Sequence, residues 1–208
     1  MTTKDSAKTI VCYGDSNTWG RIPEGERYPR SIRWPGALQM LLGENYEVVE
    51  EGLNGRTFVA EDLEAPQKTG ITHLKAILKT HLPIDLIIVM LGTNDVKILY
   101  NLNAEEIAQH LEETIKLIQV EGIKKILVVC PPSIVERSDG KTDERYINRS
   151  KITEELPEHF KKVSDKSGCS YINAEEYISS SKIDGFHFDS EMHKKLAEVL
   201  SKEIKKII

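Results

Sequence analysis

Short runs of apolar, β-branched residues at 9–13, 46–50, 86–90, 126–130 and 169–172 stand out from a chain of otherwise mixed character, and turn-forming Gly, Pro or Asn follows each within one or two residues. They predict five strands. Between them apolar residues recur at helical spacing. Ile107, Leu111, Ile115 and Ile118 lie on one helix face, with Leu117 on its flank and a candidate cap at Asn103. Met192, Leu196, Val199, Leu200 and Ile204 repeat the stripe behind a cap at Asp189 or Ser190. Strand and helix therefore alternate, which implies right-handed crossovers, and the run 86–90 is apolar at every position, so it must be covered on both faces. The expectation is one domain over 1–208, a three-layer α/β/α sandwich around a five-stranded parallel sheet.

Polar clusters follow four of these segments in a fixed order: Gly14-Asp15-Ser16-Asn17, Gly52-Leu53-Asn54-Gly55-Arg56, Gly92-Thr93-Asn94-Asp95 and Asp184-Gly185-Phe186-His187. In a parallel sheet ligands bind at the carboxyl ends of the strands, where these clusters fall. Ser16 alone reads as a helix cap, because a serine hydroxyl is a poor nucleophile without a base to take its proton. His187 can be that base. It follows Asp184 by three residues across a glycine, a spacing at which the carboxylate can reach Nδ1 and leave Nε2 free. The other histidines, His73, His81, His110, His159 and His193, fall in helix-like segments and are expected on the solvated surface. Gly55 can offer a backbone N–H and Asn94 a side-chain amide to the negative charge that develops on a carbonyl oxygen during attack. Asp15, Asn17, Trp19 and Arg56 are candidate substrate contacts. Trp19 and Trp34 could stack on a sugar or aryl ring, or belong to a core or an interface.

The bulk properties narrow the field. At 208 residues the chain can bury one sizeable core. The net charge is -5 with both signs interleaved, and no basic stripe is present, so nucleic acid is not an expected partner. The polar start Met1 to Lys8 does not read as a secretory leader, and the longest apolar run is far below membrane-spanning length. Cys12, Cys130 and Cys169 are odd in number and sit in or beside apolar segments, as expected for reduced thiols in a cytoplasmic protein. Neither a phosphate-binding glycine motif nor a metal-ligand spacing is present, so no cofactor and no metal are expected. The segment 131–148, opening on Pro131-Pro132 and ending at Asn148, reads as an irregular excursion, either a wall or lid over the sheet edge or a surface loop.

The four clusters resemble the blocks of the SGNH, or GDSL-type, hydrolases, with Ser16, Gly55, Asn94 and His187 as the four lettered residues and Asp184 ahead of the histidine. Stretches such as Gly14-Asp-Ser-Asn-Thr-Trp-Gly20 and Val89-Met-Leu-Gly-Thr-Asn-Asp95 are similar to the arylesterase and acyltransferase branch. The resemblance implies a flavodoxin-like sheet and a metal-free esterase. Ser16 would be its nucleophile, His187 its base and Asp184 the orienting acid. The Ser16 and Gly55 N–H groups and the Asn94 amide would form the oxyanion hole. It implies short acyl esters of aryl, alcohol or carbohydrate groups as substrates, with possible acyl transfer to alcohols, and a homo-oligomer. Asn17 stands where the family usually has leucine, and 131–148 has no clear counterpart. A longer-chain lipase or thioesterase and a non-catalytic flavodoxin-like binding module are the competing readings. Against the long-chain reading stand the charges near the clusters, Arg21, Glu24, Glu26, Arg27, Arg33, Arg56 and Glu61.

Overall fold

A computed structural model describes residues 4, 6–63 and 65–208; residues 1–3 and 5 of the polar start, and Glu64, lie outside the described residues. Strands β1 (Lys8–Gly14), β2 (Tyr46–Gly52), β3 (Leu86–Met90), β4 (Ile126–Cys130) and β5 (Ser170–Asn173) form a parallel sheet in the order β2-β1-β3-β4-β5. This is the flavodoxin-like order, with its switch point between β1 and β3. The connections carry helices α1 (Ser16–Trp19), α2 (Trp34–Leu42), α3 (Gly70–Thr80), α4 (Ala104–Val120), α5 (Ser150–Ser167) and α6 (Ser190–Ile207).

Because side chains alternate along a strand, the sheet feeds two cores. Val11, Tyr13, Ile87, Val89 and Val128 pack with Leu74, Leu78, Ile107, Leu111, Ile115, Leu156 and Phe160 of α3, α4 and α5. Ile10, Cys12, Leu86, Ile88, Met90, Leu127 and Val129 pack with Trp34 and Leu38 of α2 and Leu196, Leu200 and Ile204 of α6. Every residue of β3 and β4 is buried, as a strand covered on both faces must be. The two helices expected from periodicity are present with their caps. Asn103 accepts from Glu106 N while the Glu106 carboxylate accepts from Asn103 N, and Asp189, rather than Ser190, caps α6 by accepting from Met192 N.

Two expectations need correction. The fifth strand starts at Ser170 rather than Cys169, because Gly168 in the left-handed region ends α5 and Cys169 N still donates back to Ser164 O. His193 is not on the surface. It is fully buried, its ring edge-on to Tyr28 and Phe188, and its Nδ1 accepts from Trp34 N at 3.3 Å. Burial, with nearby His187 adding to it, pushes its pKa down to about 3, so it works as a neutral acceptor in the core. Trp34 is likewise a core residue with no exposure. The three cysteines are free, and burial pushes their thiols upward. No helix among the described residues is long and apolar enough to cross a membrane.

The register brings the strand ends level: Gly14 pairs with Gly52 on one side and with Met90 on the other. The single turn of α1 then lies against the end of β2 so closely that a Cβ on Gly52 would sit 2.2 Å from Trp19 N. Backbone cannot yield there as a flexible side chain can. Gly52→Ala should therefore cost at least about 2 kcal/mol, lowering Tm by roughly 5 °C or more in a thermal melt. An unchanged Tm would show that the turn is not tightly seated.

Candidate active site

The turn after β1 is shaped by its own polar residues. Asp15 caps α1 by accepting from Asn17 N at 2.9 Å, and Gly20 at φ 89° closes the turn, which leaves the Ser16 hydroxyl at the sheet edge. The last cluster forms a second tight turn. Asp184 Oδ1 accepts from the N–H groups of Phe186 (3.2 Å) and His187 (3.0 Å), and Gly185 takes φ 96°, where a Cβ would meet Val135 O at 2.6 Å. The other oxygen, Oδ2, lies 2.7 Å from His187 Nδ1, and His187 Nε2 lies 2.9 Å from Ser16 Oγ. Burial pushes the Asp184 carboxyl up, but hydrogen bonds from the His187 ring and backbone outweigh it, so its pKa falls below the ordinary value. Carboxylate, imidazole and hydroxyl thus form one hydrogen-bonded chain across 171 positions of sequence.

Asn17 joins the two turns. Its Nδ2 donates to Phe186 O at 3.0 Å and its Oδ1 accepts from Phe188 N at 3.1 Å, so one buried amide grips the backbone on both sides of His187. The middle clusters are bound just as directly. Gly55 takes φ 81° in a turn closed by Arg56 N donating to Leu53 O. Asn94 Nδ2 donates to Arg56 O at 3.1 Å and to Asp15 Oδ2 at 3.2 Å, and Asp95 Oδ1 accepts from Phe58 N at 3.0 Å. The backbone N–H groups of Ser16 and Gly55 donate to no described residue. They are available to an anion.

Ser16, Gly55, Asn94 and His187 line one cleft of about 180 Å³. Its remaining walls are Arg21, Asn54, Lys97, Arg145, Tyr146 and Phe186, residues not singled out as site groups from sequence. Lys97 stands three residues beyond Asn94, and Arg145 and Tyr146 come from the 131–148 excursion, which is therefore a wall of the site. A roomier hollow of about 440 Å³, bounded by residues such as Arg30, Gln39 and Glu47, holds no nucleophile and base pair.

None of the four candidate substrate contacts lines the cleft: Asp15, Asn17 and Arg56 are buried and build its scaffold, and Trp19 is half-buried beside Arg27. Asp15 is buried and holds Asn17 and Asn94; burial lifts its pKa to about 6 against the pull of the Asn17 N–H and of His187, Lys97 and Arg56. Asn17 is occupied by the backbone around His187. Trp19 lies under the Arg27 guanidinium, 4.7 Å from its ring centre. Arg56, 5% exposed, donates to Gly14 O and Glu51 O and stacks on Tyr13.

Asp95 supplies a test of this scaffold. It has no exposure, and burial, reinforced by Asp15 and opposed by the Phe58 N–H, lifts its pKa to about 7. The folded protein therefore holds a proton that the unfolded chain releases near pH 4, so this group's stabilisation is full below about pH 4 and is lost as pH rises through about 7. Asparagine keeps an acceptor for Phe58 N and cannot ionise. From pH 4.5 to 8 the Tm of wild type should fall relative to that of Asp95→Asn by roughly 5 °C. A pH-independent difference between the two would show that the carboxyl does not titrate in this window.

The model of the GDSL-like lipase/acylhydrolase family matches residues 12–195. The solved structure of Est24, a carbohydrate acetylesterase from Sinorhizobium meliloti, is 31% identical, with 97% of this chain and 100% of that chain covered and a TM-score of 0.93. An inhibitor-bound aryl esterase of M. smegmatis is 30% identical at the same coverage and TM-score. Among curated proteins, the uncharacterized lipoprotein YqeF of Bacillus subtilis (strain 168) is 28% identical over 144 residues, which span 67% of this chain and about half, 54%, of the lipoprotein. With the family model covering nearly the whole chain and esterases matching it from end to end, the protein belongs to the GDSL-like lipase/acylhydrolase family and is a carboxylic ester hydrolase.

Proposed function

We propose that the enzyme hydrolyses short-chain, acetyl-type esters of aryl, alcohol or carbohydrate groups through an acyl-enzyme on Ser16. The observation that carries this reading is the hydrogen-bonded chain from Asp184 through His187 to Ser16 Oγ, with links of 2.7 and 2.9 Å, beside two N–H groups without acceptors. Ser16 Oγ attacks the ester carbonyl carbon as its proton passes to His187 Nε2, and the carbonyl π electrons move onto oxygen. The N–H groups of Ser16 and Gly55 receive that oxyanion. Asn94 joins them by trading its 3.2 Å bond to Asp15, since both of its amide hydrogens already have acceptors in the free enzyme. Collapse restores the carbonyl and breaks the bond to the alcohol oxygen, which takes the proton from Nε2. Water, deprotonated by the same nitrogen, then releases the acid and frees Ser16. An alcohol in place of water would complete acyl transfer.

A cleft of about 180 Å³ is smaller than the 300 Å³ or more usual for drug-sized ligands, which favours acetyl-sized acyl groups over long chains. The names of the similar structures, a carbohydrate acetylesterase and an aryl esterase, support the same substrate range. Turnover of 4-nitrophenyl acetate should fall at least about 10³-fold in Ser16→Ala, and an organophosphonate should add its mass to Ser16 of the wild type alone. Undiminished turnover in the variant would remove Ser16 as nucleophile.

Asn17 acts here as a positioning residue, because it touches the backbone flanking His187 and not the substrate. Asn17→Ala should lower kcat by about tenfold while KM stays within about twofold, since only the alignment of base and hydroxyl is loosened. Equal loss in folding stability and no change in kcat would restrict the amide to a structural role.

A further inference from the structure

The cleft carries charge that ester hydrolysis alone does not use. Its walls include three cations, Arg21, Lys97 and Arg145, and no carboxylate, in a protein whose net charge is -5. Arg145 is compensated: its Nε and Nη2 each donate to the Asp143 carboxylate at 2.8 Å, and its guanidinium lies over the rings of Phe186 and Tyr146. Arg21 and Lys97 are not. Neither has a carboxylate within ion-pair distance among the described residues. Both are only partly exposed.

The acids nearest the floor act on Lys97 only from a distance, without forming an ion pair. Asp15 and Asp95 are buried with pKa values lifted to about 6 and 7, and Asp184 is engaged by His187. Lys97 shows the strain of its setting: burial, followed by the neighbouring cations Arg145 and Lys68, lowers its pKa to about 8 against the weaker pull of Asp15 and Asp95. A partly desolvated ammonium with no partner is costly to keep, and an anion delivered by a ligand would relieve the cost. Ordinary surface lysines and arginines face water. These two face the same small space as Ser16 and the free N–H groups.

We infer that the preferred substrates are esters bearing an anionic group, a carboxylate or a phosphate, a few bonds from the scissile carbonyl, bound by Lys97 and Arg21. This rests on the esterase reading above and specifies its substrate class. The anion could belong to the acyl part or to the alcohol part, and two matched pairs separate these sources: monoethyl succinate against ethyl butyrate, and 4-acetoxybenzoate against 4-acetoxybenzamide.

Turnover of all four would be followed at constant pH, at low salt and in 0.3 M NaCl, with wild type, Ser16→Ala, Lys97→Met and Arg21→Met. In at least one pair the anionic member should be favoured by about tenfold or more in kcat/KM, and salt should shrink that ratio. In each Met variant the ratio should fall toward one. Using the ratio, together with its salt dependence in the wild type, keeps the test valid even if one variant folds poorly. Neutral members that match or exceed their anionic partners in both pairs, with turnover still lost in Ser16→Ala, would overturn the inference and leave the esterase reading standing. A preference that survives unchanged in both Met variants would overturn the assignment to these two cations. Turnover of 4-nitrophenyl acetate but of none of the four would overturn this inference and leave the esterase reading standing.

Discussion

An imidazole can take a proton from a hydroxyl only within about 3 Å of it, and here the two groups stand on turns 171 positions apart in sequence. The sheet alone cannot hold that distance. Parallel strands bring their carboxyl ends to one edge, but His187 lies on the connection between β5 and α6, well past the last strand. What closes the gap is the Asn17 amide. It donates to the carbonyl before His187 and accepts from the N–H after it, from a position one residue beyond Ser16. Two bonds made by one buried side chain fix both the height and the tilt of the imidazole turn relative to the nucleophile turn. A leucine at this position could supply packing but neither bond.

The same economy governs the rest of the floor. Asp15, Asn94, Arg56 and Asp95 are each buried, and each makes at least one hydrogen bond to the backbone or a side chain of another loop. Burying carboxyls outside ion-pair distance of a cation is unfavourable, and the raised pKa values of Asp15 and Asp95 are the mark of it. In return, three loops from three strands are tied by donors and acceptors that must be satisfied or be lost to solvent, so the loops have few alternative arrangements. The free N–H groups of Ser16 and Gly55 are left pointing at the cleft as a result of where everything else is bound.

The sheet was legible because its central strands obey a rule that leaves little freedom. The run 86–90 is apolar at all five positions and coincides with β3, and 126–130 does the same for β4. Helices α4 and α6 were legible from stripes and caps together. By contrast α2 carries Pro35 in its first turn and α5 carries Pro157 inside it, and each has too broken a stripe to be placed by periodicity alone. At the site, the four residues that meet in space each sit in a Gly-marked turn after a strand or before a capped helix, which is why sequence could nominate them. The supporting residues give no such sign. Asn17 and Arg56 look like substrate ligands because they adjoin the nucleophile and the oxyanion glycine, yet adjacency in sequence points their side chains into the scaffold as readily as into the cleft. His193 failed for the complementary reason: a histidine on an amphipathic helix looks solvated until its neighbours Trp34, Tyr28 and Phe188 arrive from elsewhere in the chain.

The charge of the cleft was illegible for the same cause. Lys97 is two residues past Asp95, and in sequence the pair looks self-neutralising. In the fold Asp95 turns inward to Phe58 N and is lifted toward neutrality, while Lys97 remains on the cleft wall. Arg21 leaves the nucleophile turn by a similar divergence, its backbone N donating to Ser16 O while its side chain reaches the cleft. A chain with an excess of acids can therefore present a positive site, because burial decides which of its charges a substrate meets.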